Sequence, residues 1–79
     1  QESPVHRPAM DKIARTTQDI GRRLRAARTG VGMTLASVAR QAGVSEGFLS
    51  KLERGQAAAS IANLIQLADA LGLGLHELF

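Results

Sequence analysis

Cysteine is absent from the 79 residues. That excludes a disulfide framework and any thiolate metal site, and it fits a cytoplasmic protein. Tryptophan and tyrosine are also absent, leaving Phe48 and Phe79 as the aromatic side chains. Proteins that hold single-stranded nucleic acid commonly stack bases on aromatics. That mode is disfavoured here, although double-stranded RNA is not. No apolar run approaches the roughly 18 residues of a membrane span, and no signal-peptide core is present. His6 and His76 stand apart, with no acidic cluster to complete a metal or nucleophile site. The short glycine pairs "GVG" and "GLG" are too small to cradle phosphate and are expected to stop helices. The expectation is a protein with no catalysis, no metal and no cofactor.

What is present is a small, basic, helix-patterned chain. A chain this short buries only about 60–65% of its unfolded surface, so one domain of modest stability is expected. Ten Lys and Arg against seven Asp and Glu give a net charge of +3. Every one of the basic residues lies at or before Arg54, and residues 60–79 carry only Asp69 and Glu77. A basic body with a faintly acidic end suggests that one face meets an anionic partner. Solvated surface charge is the plainer reading of the same pattern.

Residues 1–15 hold both prolines, Pro4 and Pro8, and show no clear apolar period. They read as a flexible arm, idle or reaching phosphates through Arg7, Lys12 and Arg15. Residues 16–79 read as the folded domain. Thr16 and Asp19 stand at capping-box spacing, which predicts a first helix from Thr17 with Ile20, Leu24, Ala27 and Val31 inward. Gly30 and Gly32 stop it. Thr34 caps a second helix with Leu35, Val38, Ala39 and Ala42 inward, and Gly43 ends it.

Ser45 caps a third helix. Leu49 and Leu52 share one side, with Phe48 at its edge, while Gly47, Ser50, Lys51 and Arg54 fall opposite. Gly55 ends it. Ser60 caps a fourth helix striped by Ile61, Leu64, Ile65, Ala68 and Leu71. Leu67 and Leu73 lie off that stripe and read either as extra core width or, with Leu71, as a self-association patch. Beyond Gly72 and Gly74, Leu75, Leu78 and Phe79 form a last helical turn or two. No segment alternates as a strand does.

Two short helices joined at Gly43 and Val44 make a helix-turn-helix. The first braces the second, so that the outer side chains of the second can enter a major groove. Small residues near its start allow close approach, and free N–H groups at the helix starts suit phosphate oxygens.

At this point "IGRRLRAAR", "GMTLASVARQAGVSEGFLSKLERG" and "SIANLIQLADALGLGLHELF" together resemble the Cro/Xre, lambda-repressor-like DNA-binding domain over residues 19–79. The resemblance implies an all-α, compact five-helix domain. It further implies a transcription regulator that binds double-stranded operator DNA, repressing as a homodimer on a two-fold symmetric site. Base reading then falls on Glu46, Gly47, Ser50 and Lys51. Lys51 can donate to guanine O6 and N7. Glu46 can accept from cytosine N4, or simply place favourable charge near a helix start. Gly47 contributes no side chain and is otherwise a weak point in the helix. Phe48 reads as core edge before thymine contact. Phosphate contacts fall on Thr34, Arg40, Ser45, Arg54 and Gln56.

The resemblance also implies an ion pair between Arg28 and Glu53. A bare carboxylate between the core and a DNA face would repel phosphate, which gives the pairing an independent reason. Two departures bear on DNA preference. Leu35 stands where related domains often carry Gln, and Ala59 stands where Pro is common before the cap of the fourth helix. "GMTL" with "SEGFLSKLERG" is similar to regulators in which such a domain precedes a small-molecule-sensing cupin domain, so an N-terminal fragment lacking that sensor is one expectation. A stand-alone repressor or an antitoxin is the other. The rival function is a protein-interaction module, such as an antitoxin that binds a toxin partner.

Overall fold

The computed structural model describes residues 8–79, with the side chains of residues 11–79. Four α-helices follow one another: α1 (Pro8–Gly30), α2 (Leu35–Ala42), α3 (Glu46–Glu53) and α4 (Ile61–Leu71). A 3₁₀ turn, Leu75–Leu78, closes the order. The described residues contain no strand. The expected fifth helix is therefore a short 3₁₀ turn. Its bonds run three residues back, from Glu77 N–H to Gly74 C=O at 3.0 Å and from Phe79 N–H to His76 C=O at 3.3 Å. Such turns rarely extend beyond three or four residues because their hydrogen-bond geometry is poorer.

Three of the four cap hydroxyls read from sequence are in place. Thr34 Oγ1 accepts from Ser37 N–H at 3.0 Å, Ser45 Oγ from Phe48 N–H at 3.0 Å, and Ser60 Oγ from Asn63 N–H at 3.1 Å. Gly43 ends α2 at φ 73°, its N–H bonded to the carbonyls of Ala39 and Arg40. A side chain there would be strained, so Gly43 sets the sharp turn into α3.

The start of α1 differs from the expectation. The helix begins at Pro8, not Thr17. Proline suits a first helical position, where its missing N–H has no partner to lose. Thr16 is therefore inside the helix, not a cap. Thr17 Oγ1 donates to the Ile13 carbonyl at 2.9 Å, as a mid-helix threonine does. Asp19 pairs with Arg22 instead of closing a capping box. Thus residues 8–15 of the expected arm are helical, and Lys12 and Arg15 are carried on α1. Arg7 lies outside the described residues.

The core joins Leu24, Val38, Ala39, Ala42, Leu49, Leu52, Leu64, Leu67, Ala68, Leu71 and Leu78, each buried. Helix α2 packs on α4, and α1 packs on α3. The inward line of α4 is Leu64, Leu67, Ala68 and Leu71. Ile61 and Ile65, expected inward, are exposed, and so are Val31 and Phe79. Leu67 and Leu71 are core residues and offer no self-association patch, while Leu73 packs partly buried at the edge.

Candidate nucleic-acid interface

Helix α3 divides cleanly. Leu49, Leu52 and Glu53 are buried, and Phe48 is half-buried against the core. Phe48 is thus core edge. Glu46, Gly47, Lys51 and Arg54 are exposed, and Ser50 is half-buried beside them. The Ser45 cap takes the Phe48 N–H. The first-turn amides of Glu46 and Gly47 precede it, among the N–H groups that a helix leaves without an intrahelical acceptor. Arg54 folds back along the helix, its Nε donating to the Ser50 carbonyl at 3.3 Å. That places a guanidinium on the same face as Lys51.

Gly47 has no structural demand on it. A Cβ added there would meet nothing within 4 Å. Its φ is not positive, unlike that of Gly32, Gly43, Gly55 and Gly72. A helical glycine of this kind weakens the helix by roughly 0.5–1 kcal/mol relative to alanine.

Arg28 fixes this face in position. Its Nε donates to Glu53 Oε2 at 2.7 Å and its Nη2 to Glu53 Oε1 at 3.0 Å. Its Nη1 donates to the Met33 carbonyl at 2.9 Å. The hydrogen bonds to Glu53 hold the guanidinium pKa above its ordinary value, against the opposing pull of burial. One side chain therefore ties α1 to the last residue of α3 and to the residue before Thr34. The start of α2 and the far end of α3 are held in fixed relation.

Gly21, which sequence reasoning did not single out, sets the distance between α1 and α3. A Cβ on Gly21 would lie 2.2 Å from the Leu52 carbonyl oxygen. No local signal marks this glycine, because the constraint comes from a helix some thirty residues away. Thr34, Ser45, Arg54 and Gln56 lie exposed at helix ends and in the turn after α3. Arg40 is exposed on α2, and no hydrogen bond or ion pair links it to α3.

The helix-turn-helix family profile matches residues 24–78. The restriction-modification controller protein C.AhdI from Aeromonas hydrophila is 35% identical, covering 80% of this chain and 96% of its own, with a TM-score of 0.77. The clp gene regulator ClgR from Corynebacterium glutamicum is 35% identical, covering 80% of this chain and 82% of its own, with a TM-score of 0.76. A transcriptional regulator of the same family from Vibrio cholerae is 29% identical, covering 84% of this chain but 37% of its own, with a TM-score of 0.79. No curated protein sequence matches. Among the described residues no helix is long and apolar enough to cross a membrane. With its Thr34- and Ser45-capped helix pair, its α3 face and its match over residues 24–78, the chain belongs to the Cro/C1-type helix-turn-helix family of DNA-binding transcription regulators.

Proposed function

We propose that the chain binds duplex DNA sequence-specifically, with α3 in the major groove, and represses transcription as a cytoplasmic homodimer. The carrying observation is the face of α3, where exposed Lys51 and Arg54 flank half-buried Ser50 and side-chain-free Gly47 over a closed core. Glu46, Gly47, Ser50 and Lys51 meet base edges. Thr34, Arg40, Ser45, Arg54 and Gln56 meet phosphates. Repression is the simplest consequence of occupancy, because a domain seated in the groove excludes other proteins from the same base pairs. The homodimer reading is supported by Ile61, Ile65 and Phe79, exposed apolar residues of α4 and the chain's closing turn. Their segment, residues 60–79, is sparsely charged, with Asp69 and Glu77 as its acidic residues and no Lys or Arg.

Lys51 tests the reading. Lys51→Ala is expected to weaken binding to a preferred duplex by about 1–3 kcal/mol and to relax the preference at one position. Titration of preferred and scrambled duplexes distinguishes the roles. Equal weakening on both would show that Lys51 touches phosphate only.

Gly47 gives two readouts of opposite sign. Gly47→Ala is expected to stabilise the free chain by about 0.5–1 kcal/mol, because the added methyl meets nothing. The same methyl is expected to weaken duplex binding by obstructing close approach to the base edges. A thermal melt and a binding titration on one sample read both. Unchanged binding would remove Gly47 from the interface.

A further inference from the structure

Helix α1 runs beside α3, and three contacts define which of its sides faces where. Gly21 faces the Leu52 carbonyl, and Gln18 lies against Gly55, so that a Cβ on Gly55 would come 2.9 Å from Gln18 Cγ. Arg28, two turns beyond Gly21, meets Glu53. Buried Leu24 and half-buried Ile20 and Ala27 lie to one side of this line, toward the core. Helical spacing of about 100° per residue puts Arg15, Gln18, Arg22 and Arg25 along the other side. Their separations of three, four and three residues make one continuous strip. It borders the outer face of α3.

All four of these residues are exposed. The acidic groups on that side of α1 are Asp11 and Asp19, and Asp19 is the ion-pair partner of Arg22. Arg54 and Gln56 are exposed at the end of α3 and in the turn after it, on either side of the Gly55 that Gln18 packs against. The strip is therefore cationic on balance and continuous with the α3 face.

We propose that α1 carries a second DNA-backbone contact, in which Arg15, Arg22 and Arg25, with Gln18, hold phosphates of the strand beside the groove that α3 enters. This rests on the DNA-binding reading. The strip differs from a loose basic tail. Gly21 and the Arg28–Glu53 pair fix α1 against α3, so these cations are already positioned when α3 meets the groove. The contact strengthens binding to every sequence alike and adds no base discrimination.

The test compares two charge-matched variants of the full chain on a fluorescent, short random-sequence duplex, titrated over a range of salt. Arg15→Ala with Arg25→Ala removes two cations from the strip. Arg23→Glu makes the same change of two charges at an exposed position on another side of the same helix. The first pair is expected to reduce the slope of log affinity against log salt by about 2. The second variant is expected to leave the slope near that of the unmodified chain. Melting curves check that both fold. Equal slopes for the two variants, with binding intact, would overturn the proposal while leaving the α3 reading standing. Failure of the unmodified chain to bind at low salt would sink the DNA reading itself, and this inference with it.

Discussion

Arg28→Met is expected to destabilise the domain by about 3–5 kcal/mol, the usual penalty for stranding one charge of a buried pair. The Glu53 side chain is 5% exposed and that of Arg28 is 14% exposed. Both Glu53 oxygens take their hydrogen bonds from Arg28. Without Arg28 the carboxylate keeps its burial and loses its donors, and the Met33 carbonyl loses a donor too. For a domain of this size about 1 kcal/mol shifts Tm by roughly 4–8 °C, so Tm should fall by at least about 12 °C. Replacing both partners, as Arg28→Met with Glu53→Leu, should recover most of the loss, because no charge is then buried alone. Urea unfolding followed by circular dichroism measures all three chains. A single substitution costing under about 1 kcal/mol would show that water reaches Glu53 readily and that the pair matters little.

Gly21→Ala is the second large effect. Alanine ordinarily strengthens a helix by about 1 kcal/mol over glycine. At Gly21 the added Cβ would lie 2.2 Å from the Leu52 carbonyl oxygen and 3.0 Å from that of Glu53. These are backbone atoms of a packed helix, and they cannot swing aside as a side-chain tip does. Relief requires α1 and α3 to separate, which opens the core at Leu24, Leu49 and Leu52. Overpacking of this kind costs about 1–3 kcal/mol, at times more. A clash this close with backbone falls at the upper end of that range, so after the helix gain of about 1 kcal/mol a net loss of about 2 kcal/mol, or roughly 8–16 °C in Tm, is the expected outcome. Paired melts of Gly21→Ala and Gly47→Ala make the contrast plain, since one should fall and the other rise. A Gly21→Ala chain as stable as the unmodified one would mean that the helices do not approach this closely.

Local chemistry was the legible part of the sequence. The caps at Thr34, Ser45 and Ser60 and the stop at Gly43 depend on residues three or four positions apart. The α3 face was legible for the same reason, because its division follows one helical period. The family likeness added the Arg28–Glu53 pair, whose partners lie 25 residues apart. The remainder depended on tertiary context. Pro8 read as a breaker, although proline serves equally well at a first helical position. The opening turns of α1 carry no apolar stripe because they extend past the body, leaving Ile13 59% exposed. Ile61 and Ile65 matched the period of α4 yet lie outside its buried line, while Leu67, off the expected stripe, is fully buried. Gly21 looked like any helical glycine until α3 was placed against it.

The central claim is sequence-specific recognition of duplex DNA, and selection of bound sequences from a random duplex pool tests it most directly. Affinity of the selected duplexes would then be followed against salt. The account predicts enrichment of a palindromic motif whose half-sites are separated by one helical turn of DNA or a multiple of it. Absence of binding at low salt would contradict the account and favour a protein partner for the α3 face.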